Sequence, residues 1–391
     1  MNEKSPIRSK ENFLVFGAPC IEEAEIQEVL DSIRKRWIGT GPKVAKFENA
    51  FAAYKKVPHA VAVSSCTAAL HLAVLAVGIR PGDEVITTPM TFCATVNAII
   101  HAGARPVLAD CDRNTMNIDP NEIERKISPN TKAIIVVHMA GRPCEMDSIM
   151  EIARRYDLIV IEDCAHAIEA EYHGVPVGTF GKVGCFSFYV TKNITTAEGG
   201  MVITKDDSVA DRIKIMALHG MTKDAWRRFS DEGYRHYEVV HLGFKYNMTD
   251  LQASMGIHQL QRITKYWERR REIWKIYNDH FADLPVFLPL DPAPDTVHSY
   301  HLYTLLIDID RLKKSRDWVI NALTAENIGV GVHYIPVHLH PFYKKTFGWN
   351  KGDFPNAEWI GERTLSIPLS GCLRDDDVHD IIMAVRKVLG G

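Results

Sequence analysis

An α/β fold, with a large mostly parallel sheet flanked by helices and a smaller C-terminal α+β unit, is what this sequence predicts on three observations. Between residues 105 and 161 short apolar strands alternate with helical stretches, and such alternation implies right-handed crossovers between parallel strands. The chain has 391 residues, more than one hydrophobic core usually supports, so a second unit is expected. Charged and hydroxylic residues also stand directly after two apolar strands, the end of an open α/β sheet where chemistry is carried.

The elements follow in order. Residues 21–35 carry Ile26, Val29, Leu30 and Ile33 at helical spacing. The turn Trp37-Ile38-Gly39-Thr40-Gly41-Pro42 ends that helix, and a second spans 44–54. Residues 59–63 form a compact strand from which Ser64-Ser65-Cys66-Thr67-Ala68 turns into an apolar helix. Small hydroxylic residues thereby sit at a helix N-terminus, whose open N–H groups and positive dipole end suit a phosphate, although they serve equally as plain N-caps. A turn at 81–84 leads into the strand 85–87, and residues 89–95 open another helix with Phe92 at its start, where an aromatic ring can stack on a flat cofactor or simply fill core. Then come strand 106–109, helix 119–127, strand 133–137, helix 146–156 and strand 158–161, with His138 and Gly141-Arg142-Pro143 near the same face.

The last of these strands delivers Asp163 and then His166. A carboxylate there can hold a pyridine nitrogen protonated, or it can cap the next helix. Twenty-nine positions on, Cys185-Phe186-Ser187-Phe188-Tyr189-Val190-Thr191-Lys192-Asn193 sets one lysine between an aromatic strand and the Gly199-Gly200 turn. A lysine forms a Schiff base only when it is deprotonated and held still, which desolvation achieves; most lysines are merely solvated.

These residues carry a resemblance. Glu162-Asp163-Cys164-Ala165-His166 and Ser187-Phe188-Tyr189-Val190-Thr191-Lys192-Asn193 through Glu198-Gly199-Gly200 resemble the motifs of the DegT/StrS family of sugar-nucleotide aminotransferases, pyridoxal-phosphate enzymes of fold type I. Similar motifs run from Trp37 to about Leu369. The resemblance implies pyridoxal 5'-phosphate on Lys192, with Asp163 at the ring nitrogen and His166 beside the phenolic oxygen. It further implies phosphate contacts from Thr67, Ala68, Ser187 and Asn247, and ring stacking by Phe92. Asn247, in Gly243-Phe244-Lys245-Tyr246-Asn247, would reach the neighbouring subunit, which implies a homodimer with shared sites; read alone it is also a cap beside Thr249. The implied reaction moves an amino group, glutamate being the implied donor, to the keto group of a nucleotide-linked sugar. The segment holding His333 and His338 would face that sugar. Ser65-Cys66-Thr67 departs from the Ser-Gly-Thr of many relatives. Relatives that dehydrate sugars replace the lysine by histidine, so Lys192 argues against that branch, and the complete set Asp163, His166, Ser187 and Lys192 argues against a non-catalytic regulatory relative.

Composition excludes other classes. A net charge of -3 offers no basic footprint for nucleic acid, and no apolar run approaches a membrane span. The first twelve residues are polar rather than signal-like, so a cytoplasmic enzyme is expected. Eight scattered cysteines without a C-x-x-C pair argue against a zinc knuckle and a secreted disulfide scaffold. His333, His338 and His340 cluster without an acidic or cysteine partner at ligand spacing, so no metal is expected. Residues 219–243, with Trp226, Arg227, Arg228, Phe229, Tyr234, Arg235 and Tyr237, show no period and suggest a functional loop. One long helix is expected over 251–281, with the domain division at 258/259. After it come strand 303–307, helix 311–326, strand 330–333, helix 357–365 and helix 376–388.

Overall fold

The structure, a computed structural model, describes residues 6–222 and 237–390; Trp226, Arg227, Arg228, Phe229, Tyr234 and Arg235 of the irregular stretch lie outside the described residues. Helices α1 (Glu23–Arg34) and α2 (Pro42–Lys55) lead into β1 (His59–Val63), α3 (Cys66–Ala76), β2 (Glu84–Thr87), α4 (Cys93–His101), β3 (Arg105–Leu108) and α5 (Pro120–Lys126). The chain continues through β4 (Thr131–Val137), α6 (Met146–Arg155), β5 (Ile159–Asp163), the short pair β6 (Glu171–Tyr172) and β7 (Val175–Pro176), then β8 (Val183–Ser187), β9 (Gly200–Thr204) and α7 (Asp207–Ala217). Among the described residues the main sheet has the order β1-β9-β8-β5-β4-β2-β3, and β9 alone runs against the others. Its carboxyl edge is brought level by register: Val137 of β4 pairs Asp163 of β5, which pairs Cys185 of β8.

Side-chain alternation fixes β8 in this sheet. Cys185 packs with α3 on one face, while Phe186 and the following Phe188 enter the other. Phe51 of α2 meets Phe186 at 5.1 Å between ring centroids, and Phe47 meets Phe188 at the same distance. The residues that lead to Lys192 are therefore anchored by buried aromatic rings. Gly200 shows why the turn before β9 needs glycine: a Cβ there would come within 2.5 Å of the Ser65 carbonyl group, so a side chain would push the loop before α3 off the sheet.

The second half contains α8 (Asp250–Gln261), α9 (Ile263–Phe281), β10 (Val286–Phe287), β11 (Thr296–Val297), β12 (Tyr303–Ile307), α10 (Ile309–Leu312), α11 (Arg316–Ala325), α12 (Pro341–Phe347), α13 (Pro355–Gly361), β13 (Thr364–Ile367) and α14 (Asp375–Leu389). The expected single helix 251–281 is two. At Arg262 φ is -99° and ψ 6°, and its N–H turns back to the Gln259 carbonyl at 3.2 Å; the apolar period continues in phase across this break and so hides it. The expected helix 311–326 is likewise divided, because Lys313 adopts a left-handed conformation and Ser315 caps a fresh start by accepting the Trp318 N–H. Residues 330–333 make only the isolated bridge Gly331 to Ser366, and the helix expected to reach 365 stops at Gly361 so that β13 can pair with β12.

α9, α11, α14, β12 and β13 enclose a core of their own around Trp274, Tyr277, Tyr303 and Leu365, on which Ile7 and Leu14 also pack. The expected division at 258/259 falls within the last turn of α8. No helix among the described residues is long and apolar enough to cross a membrane.

Candidate active site

Lys192 sits on a loop that closes on itself after β8. The Thr196 N–H bonds the Phe188 carbonyl at 2.9 Å, the Phe188 N–H bonds the Gly199 carbonyl at 2.9 Å, and the Lys192 N–H reaches Tyr189 at 2.9 Å. Burial pushes the Lys192 amine down to about 8, against the opposing pull of Cys66 and Asp163. Asp163, the last residue of β5, is buried and accepts the Ala165 N–H at 3.1 Å and the Thr95 hydroxyl at 2.8 Å. Burial raises its carboxyl from the ordinary range, while these two bonds, Lys192 and His138 act the other way.

His166 is the third member. Its Nδ1 accepts the Ala140 N–H at 3.3 Å, which leaves Nε2 to donate to the Tyr334 hydroxyl at 3.0 Å. Burial first, then Lys192, His301 and His333, push its imidazole well below the usual range, so it is neutral. His301 lies 4.6 Å away between ring centroids.

Around this trio stand residues of varied fate. Thr67 is exposed on the first turn of α3, whereas the Ala68 N–H is already held by the Ser65 hydroxyl at 3.1 Å. Ser187 ends β8, its hydroxyl accepting the Tyr189 N–H at 3.4 Å. Phe92 is 58% exposed, with its ring 5.9 Å from that of Tyr334. His333 bonds Ser366 at 2.9 Å and is pushed down to about 3 by burial and by Lys192, which places it at the same cleft. His338 is elsewhere: fully buried, it meets Glu358 at 3.0 Å and stacks edge-on against Phe354. The expectation that it faces a sugar is corrected, since a core histidine with its own carboxylate has no exposed face to offer. Asn247 joins none of the Lys192 group in its own chain. Its amide donates to Thr40 at 2.6 Å and accepts from Lys245 at 2.6 Å, so the glycine-rich turn after α1 is pinned to the segment of Asn247.

Four neighbours were given no role by the sequence: Thr95, Tyr334, His301 and Asn193, the last standing within the quoted lysine motif. Thr95 had a signal in its i,i+4 spacing from Thr91, whose hydroxyl it meets at 2.8 Å. Tyr334 had one in standing next to His333, in the segment expected to face the sugar, and His301 had none. Among the described residues His138, Glu162 and Cys164 lie close enough to hold a metal ion, but Glu162 is committed to the Gly178, Phe180 and Gly181 N–H groups at 2.6, 2.8 and 2.7 Å and to His138 at 3.1 Å. The cysteines also hold a surprise for the sequence reading: Cys20 and Cys372, 352 residues apart, form a disulfide.

The residues present fit pyridoxal phosphate. A lysine amine is held near neutrality by burial, a buried carboxylate stands where a protonated ring nitrogen would relieve it, an exposed aromatic ring flanks them, and a helix N-terminus with an exposed threonine lies alongside. Fold and site together define a fold type I pyridoxal-phosphate enzyme.

The chain belongs to the DegT/DnrJ/EryC1/StrS aminotransferase family, which matches residues 19–386. It is 48% identical over 386 residues to the spore coat polysaccharide biosynthesis protein SpsC of Bacillus subtilis, covering 98% of this chain and 99% of SpsC. The putative sugar aminotransferase Spr1654 of Streptococcus pneumoniae, solved in its PMP form, superposes with a TM-score of 0.89 at 34% identity, over 96% of this chain and 98% of its own. DesI, solved in the presence of its TDP-sugar product, superposes with a TM-score of 0.85 at 31% identity, over 98% of this chain and 94% of its own.

Proposed function

We propose that this chain is a cytoplasmic aminotransferase that moves an amino group from glutamate to the keto carbon of a nucleotide-linked sugar, with Lys192 as the attachment and proton-carrying residue. One observation carries the reading: a lysine amine held by burial at about 8, beyond the sheet edge where Asp163 ends β5 beside Cys185 of β8 and Ser187 ends β8 two residues further on. The TDP-sugar product of DesI and the polysaccharide role of SpsC support a nucleotide-linked sugar as acceptor.

Pyridoxal phosphate, when bound, supplies the electron sink that makes a carbon-bound proton removable. This chain supplies the rest. Lys192 Nζ, neutral in a useful fraction at working pH, accepts that proton from the amino donor's α-carbon and returns it on the other side of the transfer. Asp163 keeps the ring nitrogen protonated, a stabilisation needed most in the transition state. His166, neutral and fixed between Ala140 and Tyr334, orients the group beside the phenolic oxygen. Thr67 and Ser187 would hold the phosphate, and Phe92 would cover the ring. Asn247 is assigned to the phosphate of a second subunit, in a homodimer with shared sites. Support comes from Trp37, Ile38, Val239, Val240 and Leu242, all exposed apolar residues on the two segments that the Thr40–Asn247 bond pins together.

The test is direct. Borohydride reduction of the cofactor-loaded protein followed by peptide mapping should place the label on Lys192, and label on another lysine would sink the assignment. Incubation with glutamate and a panel of nucleotide-keto-sugars, read by mass, identifies the acceptor.

A further inference from the structure

The residue after Lys192 has its whole side chain committed. Asn193 Nδ2 donates to Glu169 Oε2 at 2.9 Å and to the Ser299 carbonyl at 3.1 Å, so both its hydrogens are used. Its Oδ1 must then accept, and does so from His301 Nδ1 at 2.9 Å. These partners come from the loop after β5 and from the segment before β12. Glu169 is held in turn. Its other oxygen receives the Arg270 guanidinium from α9, and its backbone N–H bonds the Ser299 hydroxyl at 3.0 Å. Arg270 and Glu169 side chains are 3% and 6% exposed.

We propose that Glu169 and Arg270 are positioning residues for Lys192, acting through Asn193. A buried ion pair is a poor source of net stability, since desolvation offsets much of its attraction, so its placement calls for another explanation. The geometry gives one. Arg270 fixes Glu169, Glu169 fixes the Asn193 amide, and the Asn193 backbone is one peptide from Lys192, so the carboxylate sets where the lysine loop can stand. The same chain fixes a proton. Because Asn193 Oδ1 can only accept, neutral His301 carries its hydrogen on Nδ1, which orients the ring that lies against His166. A rotation of the Asn193 amide would therefore disturb the lysine and the paired histidines together.

This inference rests on the reading of Lys192 as the attachment residue, and its test separates the two. Glu169→Gln keeps the shape but removes the charge and offers Asn193 a second donor. In the cofactor-loaded protein the borohydride label should stay on Lys192. The pH midpoint of the visible absorption band should shift by roughly half a unit or more. Displacing the lysine should lower kcat about ten-fold or more with KM little changed. Adding Glu169→Gln to Asn193→Ala should then change nothing further, because the path already ends at Asn193. If the unpaired Arg270 prevents folding, Glu169→Gln with Arg270→Met removes both charges and should show the same band shift and the same fall in kcat. An unmoved band with normal kcat in either folded variant would overturn the proposal, as would effects of Glu169→Gln and Asn193→Ala that simply add. Wild-type protein labelled at a lysine other than Lys192 would instead overturn the reading on which it rests.

Discussion

The depressed Lys192 amine gives the sharpest prediction. With a value of about 8 the side chain is neutral roughly one time in eleven at pH 7, against about one in three thousand for an ordinary lysine near 10.5, a gain of about 300-fold in reactive amine. Apoprotein mixed with pyridoxal phosphate should therefore capture it at a rate that rises about ten-fold per pH unit up to about 8 and flattens above, followed by stopped-flow absorbance. A rate that climbs undiminished to pH 10 would refute the argument. A second arm tests its cause. Asp163 opposes the depression, so Asp163→Asn should move the midpoint further down; an upward shift would mean that the Asp163 carboxylate does not oppose it. The same shift has a sign in stability. A lysine whose folded value is depressed costs the folded apoprotein about 3 kcal/mol below pH 8, and that cost disappears as pH rises from about 8 towards the unfolded value.

Three further outcomes are expected. Asp163→Asn should still bind the cofactor while kcat falls about a hundred-fold or more, since the ring nitrogen then loses its counter-charge where it matters most; near-normal kcat would refute the role. Mixed dimers of Asn247→Ala and Lys192→Ala chains should retain about half the wild-type activity per dimer, because one site keeps both groups, whereas activity no better than half that of the Asn247→Ala homodimer would rule out shared sites. Glu48, half-buried and accepting the Ala62 N–H at 2.8 Å, is pushed up to about 7 by burial. Its contribution is complete below the ordinary carboxylate range and lost as pH rises through about 7, so Glu48→Gln should be more stable than wild type at pH 8 by about 1–2 kcal/mol and nearly equal at pH 5, as urea midpoints would show.

The centre of the site was legible because its signals are local. Asp163 and Ser187 each end an apolar strand, and Lys192 stands five residues past the second, so a strand pattern and a polar stop were enough to mark them. What lay hidden depends on distant segments. His301 and Arg270 arrive from the C-terminal half, with nothing in their own neighbourhoods to distinguish them from core or surface residues, and Tyr334 was overshadowed by the histidines of its segment. His338 misled for the complementary reason: its histidine-rich segment looked like a polar face, and only the fold shows Glu358 waiting to receive it. The break at Arg262 and the strand β13 were missed because hydrophobic spacing reports which face is buried, not whether the backbone hydrogen bonds run unbroken.

The Cys20–Cys372 bond closes the polypeptide between these residues into a ring. Gly17 to Cys20 and Ser370 to Gly371 line the same small cleft as Lys192 and Arg270, so this bond clasps the segments before α1 and after β13 beside the Lys192 loop. By loop-closure entropy a ring of this size stabilises the fold by at most roughly 6 kcal/mol. The topology has a more visible result. A single protease cut anywhere between Cys20 and Cys372 leaves one covalent molecule while the bond is intact and two fragments once it is reduced, so a nicked enzyme can keep its lysine loop clasped until a thiol releases it.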